Sequence, residues 1–145
     1  MSEQHPAQLP PPSNRALPPI LAAGLFIAGL VAVWGGLSVL LDRDVVEYPD
    51  AGVLLGPIMV LGAAIVVWLV SWRSGGVWYA VVFAIAGVHL VMPAIAAIGY
   101  AGIRGDLTWL ATAFGHFAIS PFIVAAAVLA GLIVALMAAL TRRAG

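Results

Sequence analysis

The sequence predicts an all-α integral membrane protein: a bundle of four transmembrane helices with both chain ends in the cytoplasm and a short interfacial helix before the last span. Three observations predict it. Of the 145 residues, 63% are hydrophobic and only 8% charged, whereas a soluble domain carries about a quarter of its residues charged. The few ions are bunched, leaving charge-free stretches at 16–41, 51–72, 74–103 and 107–141, each longer than the roughly 20 residues a helix needs to cross a hydrocarbon layer. Aromatic residues also gather at two levels: Trp68, Trp72, Trp78 and Tyr79 around Arg73, and Tyr48, Tyr100 and Trp109 at the opposite ends of the spans, the pattern of two interfacial belts.

The elements follow in order. Residues 1–19 hold Pro6, Pro10, Pro11, Pro12, Pro18 and Pro19 and little that is apolar, which predicts a disordered, polyproline-leaning cytoplasmic tail. The four-helix domain is expected over 20–141. Span 1, about 20–41, is too long for the apolar core of a cleavable signal and is expected to be retained. Asp42, Arg43 and Asp44 end it. Asp50 is placed to cap span 2, about 51–72, and the Arg73-Ser74-Gly75-Gly76 reversal folds span 3, about 77–98, back as a hairpin. Asp106 reads as a further N-cap.

The last stretch exceeds one crossing, and Ser120-Pro121 interrupts its amide ladder, because proline has no N–H to donate. It is therefore divided into an interfacial helix over 107–117 and a last span over about 119–140. A single tilted helix kinked at Pro121 is the alternative. With both ends inside, Arg15, Arg73, Arg142 and Arg143 face the cytoplasm and only Arg43 and Arg104 face out, in the sense of the positive-inside rule.

Composition excludes several functions. Once the spans are subtracted, no segment is long enough to enclose a soluble catalytic core. Six basic residues balance six acidic ones, so no basic stripe for nucleic acid exists. Cysteine is absent, which removes thiolate metal sites, disulfide exchange and covalent haem attachment.

Few candidates remain. Gly24, Ala28, Ala32 and Gly36 in span 1, and Ala127, Gly131, Ala135 and Ala139 in span 4, recur every four residues. Each row suits a packing seam between spans 1 and 4 or onto a partner, since helices in lipid associate through close contact of small residues; the rival reading is an Ala- and Gly-rich composition. Gly52 and Gly56 form a shorter case. Pro57, Pro93 and Pro121 each free a carbonyl, but only Pro93 is mid-span. His89 is the one ionisable side chain deep in the layer, a costly placement that often marks proton, metal or haem sites, although a neutral imidazole bonded to a carbonyl is the plainer reading. A haem between His89 and His116 would need both at one depth on facing helices, which the divided last stretch disfavours, so no cofactor or metal is expected. The acidic loop Asp42, Asp44, Glu47, Asp50 fails the calcium-loop pattern, with Val46 at the fifth position, Glu47 at the glycine position and Val53 at the twelfth.

Through Glu47-Tyr-Pro-Asp-Ala-Gly, the Gly56-Pro57 pair and Ser120-Pro121-Phe122, the chain resembles a family of small uncharacterised actinobacterial four-span membrane proteins over roughly residues 20–141. The resemblance implies a fold and no activity. The expected function is that of a non-catalytic accessory, assembly or self-associating bundle of the plasma membrane, in contact with lipid and with itself or another membrane protein. The alternative is a transporter or channel component that uses the kinked helices and His89.

Overall fold

The computed structural model describes residues 16–42, 54–73 and 75–143. Five helices follow one another: α1 (Leu17–Leu41), α2 (Leu55–Arg73), α3 (Val77–Arg104), α4 (Trp109–Ala118) and α5 (Pro121–Arg143). α1, α2, α3 and α5 are long and apolar enough to cross a membrane. The acidic loop beyond Asp42, with Asp44, Glu47 and Asp50, and the tail residues 1–15 lie outside the described residues.

Each helix end has a local cause. Pro18 and Pro19 occupy the first turn of α1, where their missing amides leave no bond unmade. α1 stops at Asp42, whose left-handed backbone (φ 49) turns its N–H back to the Ser38 carbonyl. α3 runs six residues past the expected 98 and closes at Gly105, φ 66, with the Gly105 N–H on the Ala101 carbonyl. The Asp106 N–H reaches the same carbonyl at 3.2 Å, so the orphan acceptors of the last turn are met as in a Schellman closure.

α4 and α5 are separate helices. Ser120 N–H donates back to the Phe117 carbonyl at 3.0 Å, while the Ser120 carbonyl accepts from Ile123 and Val124 at 3.1 Å each. Pro121 thus becomes the first residue of α5, the position at which it is least costly. The break is the sequence-encoded change of chain direction at Ile119-Ser120.

The four long helices form a ring in which α1 packs on α2 and α5, and α3 packs on α2 and α5, while α4 lies against α3. Contact across the ring between α2 and α5 is slight. Alanine is the commonest residue of the core, among them Ala22, Ala63, Ala84, Ala96, Ala113 and Ala130, with Phe26, Met59, Met92, Tyr100 and Phe122 filling the remaining volume. Small side chains let the backbones approach until dispersion contacts become numerous. A Cβ on Gly131 of α5 would stand 2.6 Å from Ile85 Cγ1 of α3, and one on Gly87 of α3 would stand 2.7 Å from Val66 Cγ1 of α2.

One expected seam is not made within the chain. Gly24, Ala28, Ala32 and Gly36 of α1 are exposed on the outside of the ring, and nothing lies within 4 Å of a Cβ on Gly24 or Gly36. The inward stripe of α1 is instead Ala22, Phe26, Leu30 and Trp34. Trp34 decides this: its indole N–H requires an acceptor in an apolar layer and donates to the Phe122 carbonyl of α5 at 2.9 Å. A glycine–alanine face loses nothing comparable by meeting lipid tails. α5 does bury Ala127 and Gly131, leaving Ala135 half-buried and Ala139 exposed, but Gly131 is closed by Ile85 and Val81 of α3 rather than by α1. The α1–α5 approach runs through Gly29, where a Cβ would stand 3.3 Å from Leu129 Cδ2. At the head of α2, Gly56 also meets nothing within 4 Å, and Gly52 lies outside the described residues.

Two substitutions test this packing. Gly131→Leu forces α3 and α5 apart and should lower unfolding stability by about 1–3 kcal/mol, the usual range for overpacking, read by thermal unfolding in detergent. Trp34→Phe leaves the Phe122 carbonyl with only its helical donor and should cost about 1 kcal/mol, the net worth of one hydrogen bond.

Candidate functional site

Two groups of residues could carry chemistry: the histidine–proline pair inside α3, and the arginine–aromatic cluster where α3 hands over to α4. In the first, Pro93 is buried and His89, one turn before it, is half-buried. Because Pro93 has no N–H, the His89 carbonyl lacks its helical donor. The imidazole and the freed acceptor therefore belong to the same residue. His116 sits in the last turn of α4 and is exposed, with its ring edge-on to Phe117 at 6.0 Å. Among the described residues no group of three or more His, Asp or Glu side chains could hold a metal ion. Pro57, third in α2, and Pro121, first in α5, are both exposed near helix starts.

The second group is built by the α3 terminus. Tyr100 and Arg104 are one turn apart on α3, so their side chains stack along one face. The Arg104 guanidinium carbon lies 5.1 Å from the Tyr100 ring centroid and 5.1 Å from that of Trp109. The two rings meet edge to face, 6.0 Å apart at 87°. Tyr100 is buried while Arg104 is exposed, so the cation covers the outer edge of an aromatic pair that joins α3 to α4. In the sequence Arg104 is legible as a charge, and the signal for its packing role is the Tyr100–Arg104 spacing with Trp109 five residues on.

The link between these helices is also polar. Asp106 Oδ1 accepts from the Thr108 N–H at 2.9 Å and from the Thr108 hydroxyl at 2.7 Å. Thr108, not Asp106, holds the cap position of α4, because residues 106–108 form a turn in which the Leu107 carbonyl already accepts from Leu110. The hydrogen bond from the Thr108 backbone, followed by that from its hydroxyl, holds the Asp106 carboxyl below the usual carboxylate value.

A family model matches residues 15–144, from the last tail residues through the end of α5. The chain belongs to DUF6121, a family of unknown function. The match takes in every helix of the bundle, so the four-span ring, the α4–α5 break and the Arg104 cluster all fall within the DUF6121 region. The comparison with curated proteins and the comparison with solved structures each found no match.

The α3–α4 junction makes a pH prediction. A carboxyl whose folded value is depressed stabilises the fold at pH above its ordinary value, and that contribution is lost as the pH falls through the lowered value. Amide protection in 106–112, followed by hydrogen exchange, should therefore hold from neutral pH down to about pH 4 and weaken below it. Asp106→Asn should remove that acid dependence. Trp109→Ala should raise exchange in α4 at every pH.

Proposed function

We propose that this DUF6121 protein is a non-catalytic accessory bundle of the bacterial plasma membrane that assembles with a second copy or another membrane protein through α1, with both termini in the cytoplasm. One observation carries the reading: the small-residue row Gly24, Ala28, Ala32 and Gly36 is turned outward, and Gly24 and Gly36 have nothing within 4 Å. A helix face this flat lets another helix approach closely, which is what association in lipid rewards. The interior supports the same reading, since no buried polar or charged residue occurs among the described ones and an apolar, alanine-lined core gives a substrate little to bind.

The α4–α5 break favours a second reading, as a transporter or channel component. Trp34 stands seven residues before the end of α1, roughly 10 Å along a helix. Its bond to Phe122 therefore sets the start of α5 below the outer end of α1, and interrupted helices within the apolar layer line solute paths in many transporters. His89 would be the polar group on such a path.

Both readings are testable. Lipid-embedded crosslinking should trap a complex that Gly24→Leu with Gly36→Leu abolishes while unfolding stability changes by less than about 0.5 kcal/mol, as for outward positions without structural contacts. Recovery as a lone monomer in mild detergent, with crosslinking unaffected by the pair, contradicts the assembly reading. Proteoliposome flux that His89→Ala eliminates would favour transport instead.

A further inference from the structure

At the end of the ring where α1 begins and α2 and α5 finish, a cavity of about 430 Å³ is lined by Pro18, Pro19, Ser71, Trp72, Met137 and Thr141, with Val134 and Ala138 at its apolar side. It exists because α2 and α5 barely touch across the ring and the proline pair opening α1 cannot fill the gap between them. The Ser71 Oγ is shut off from solvent and has no hydrogen-bond partner among the described residues. A buried hydroxyl left in that condition is costly. Thr141 differs, because its hydroxyl donates to the Ala138 carbonyl at 3.1 Å. Ser71 lines the cavity with its own hydrogen bond unmade among the described residues.

Among the described residues, charge at this end is of one sign. Arg73, Arg142 and Arg143 end α2 and α5 here, whereas the described carboxylates, Asp42 and Asp106, stand with Arg104 at the far end, where α1 and α3 finish. The positive pole at the amino end of α1 is offset by the negative poles where α2 and α5 finish, so the arginines supply the attraction for an anion. An occupant must then combine an anionic head that takes a hydrogen bond with a hydrocarbon body that fits against Val134, Met137 and Ala138. We propose that the cavity binds an anionic phospholipid, its phosphate near Ser71 and drawn by the arginines that follow Trp72 and Thr141 in the chain, and an acyl chain along α5. Basic clefts between helix ends recognise lipid headgroups in this way, and the volume falls in the range of small-molecule sites. This site is separate from the outward face of α1 proposed for assembly.

The test uses the full chain purified in a maltoside detergent, with native mass spectrometry and thermal unfolding as readouts. Phosphatidylglycerol should remain bound one to one and raise the unfolding temperature, and phosphatidylcholine and inorganic phosphate should do neither. Ala138→Phe, which fills the cavity, should abolish retention. Arg142→Gln with Arg143→Gln changes only exposed side chains, so the fold is kept, and should weaken phosphatidylglycerol binding at least about fivefold, as expected when charge-assisted contacts are removed. Equal binding of the two lipids, protection by inorganic phosphate alone, wild-type affinity in the double-arginine variant, or a dimer that excludes lipid from the cavity would each overturn the proposal.

Discussion

Helices inside a bilayer gain nothing by hiding apolar side chains from one another, because the lipid tails they leave are equally apolar. Cohesion must then come from how closely two backbones can approach and from polar groups that have no other partner. Both sources converge on the α3–α5 and α1–α5 contacts. Gly131 admits Ile85 and Val81 to the backbone of α5, and Trp34 is fastened to the Phe122 carbonyl. The remaining packing follows: α2 closes on α3 through Gly87 against Val66, and the ring is completed by α1.

The same constraint explains the unusual last stretch. Thirty-five residues without a Lys, Arg, Asp or Glu between Asp106 and Arg142 exceed one crossing, and the surplus is folded as α4 against α3 rather than extended into water. Ser120 makes the break inexpensive by accepting and donating where the ladder would otherwise be open, and Pro121 begins the next helix without an amide to satisfy. At the other end of α4, the Tyr100–Arg104–Trp109 cluster holds the helix where a charge can reach water while its rings stay in the apolar edge.

Much of this fold was legible in the sequence, because span number depends only on the lengths of charge-free runs and the α4–α5 break on a Ser-Pro dipeptide. The inward face of α1 was not legible. Every side of that helix is apolar or small, so periodicity carries no direction, and the four-residue row of Gly24, Ala28, Ala32 and Gly36 looked as suitable as any other. The informative residue was Trp34, whose single N–H demands an acceptor; a mid-span tryptophan gives a face where alanines and glycines cannot. The cluster at Arg104 was hidden because its pieces belong to two helices whose docking is a tertiary fact. The candidate chemistry was least legible, since His89, His116 and Pro93 are single groups whose meaning depends on neighbours that spacing does not supply.

The whole account rests on four crossings, an even number, which returns the chain to the side where it began. Reporter fusions at the two termini of the full chain measure this most directly, using one tag active only in the cytoplasm and one active only outside. Four crossings predict the same compartment at both ends, and the arginine bias makes it the cytoplasm. Activity in opposite compartments would mean an odd number of crossings and would contradict the account.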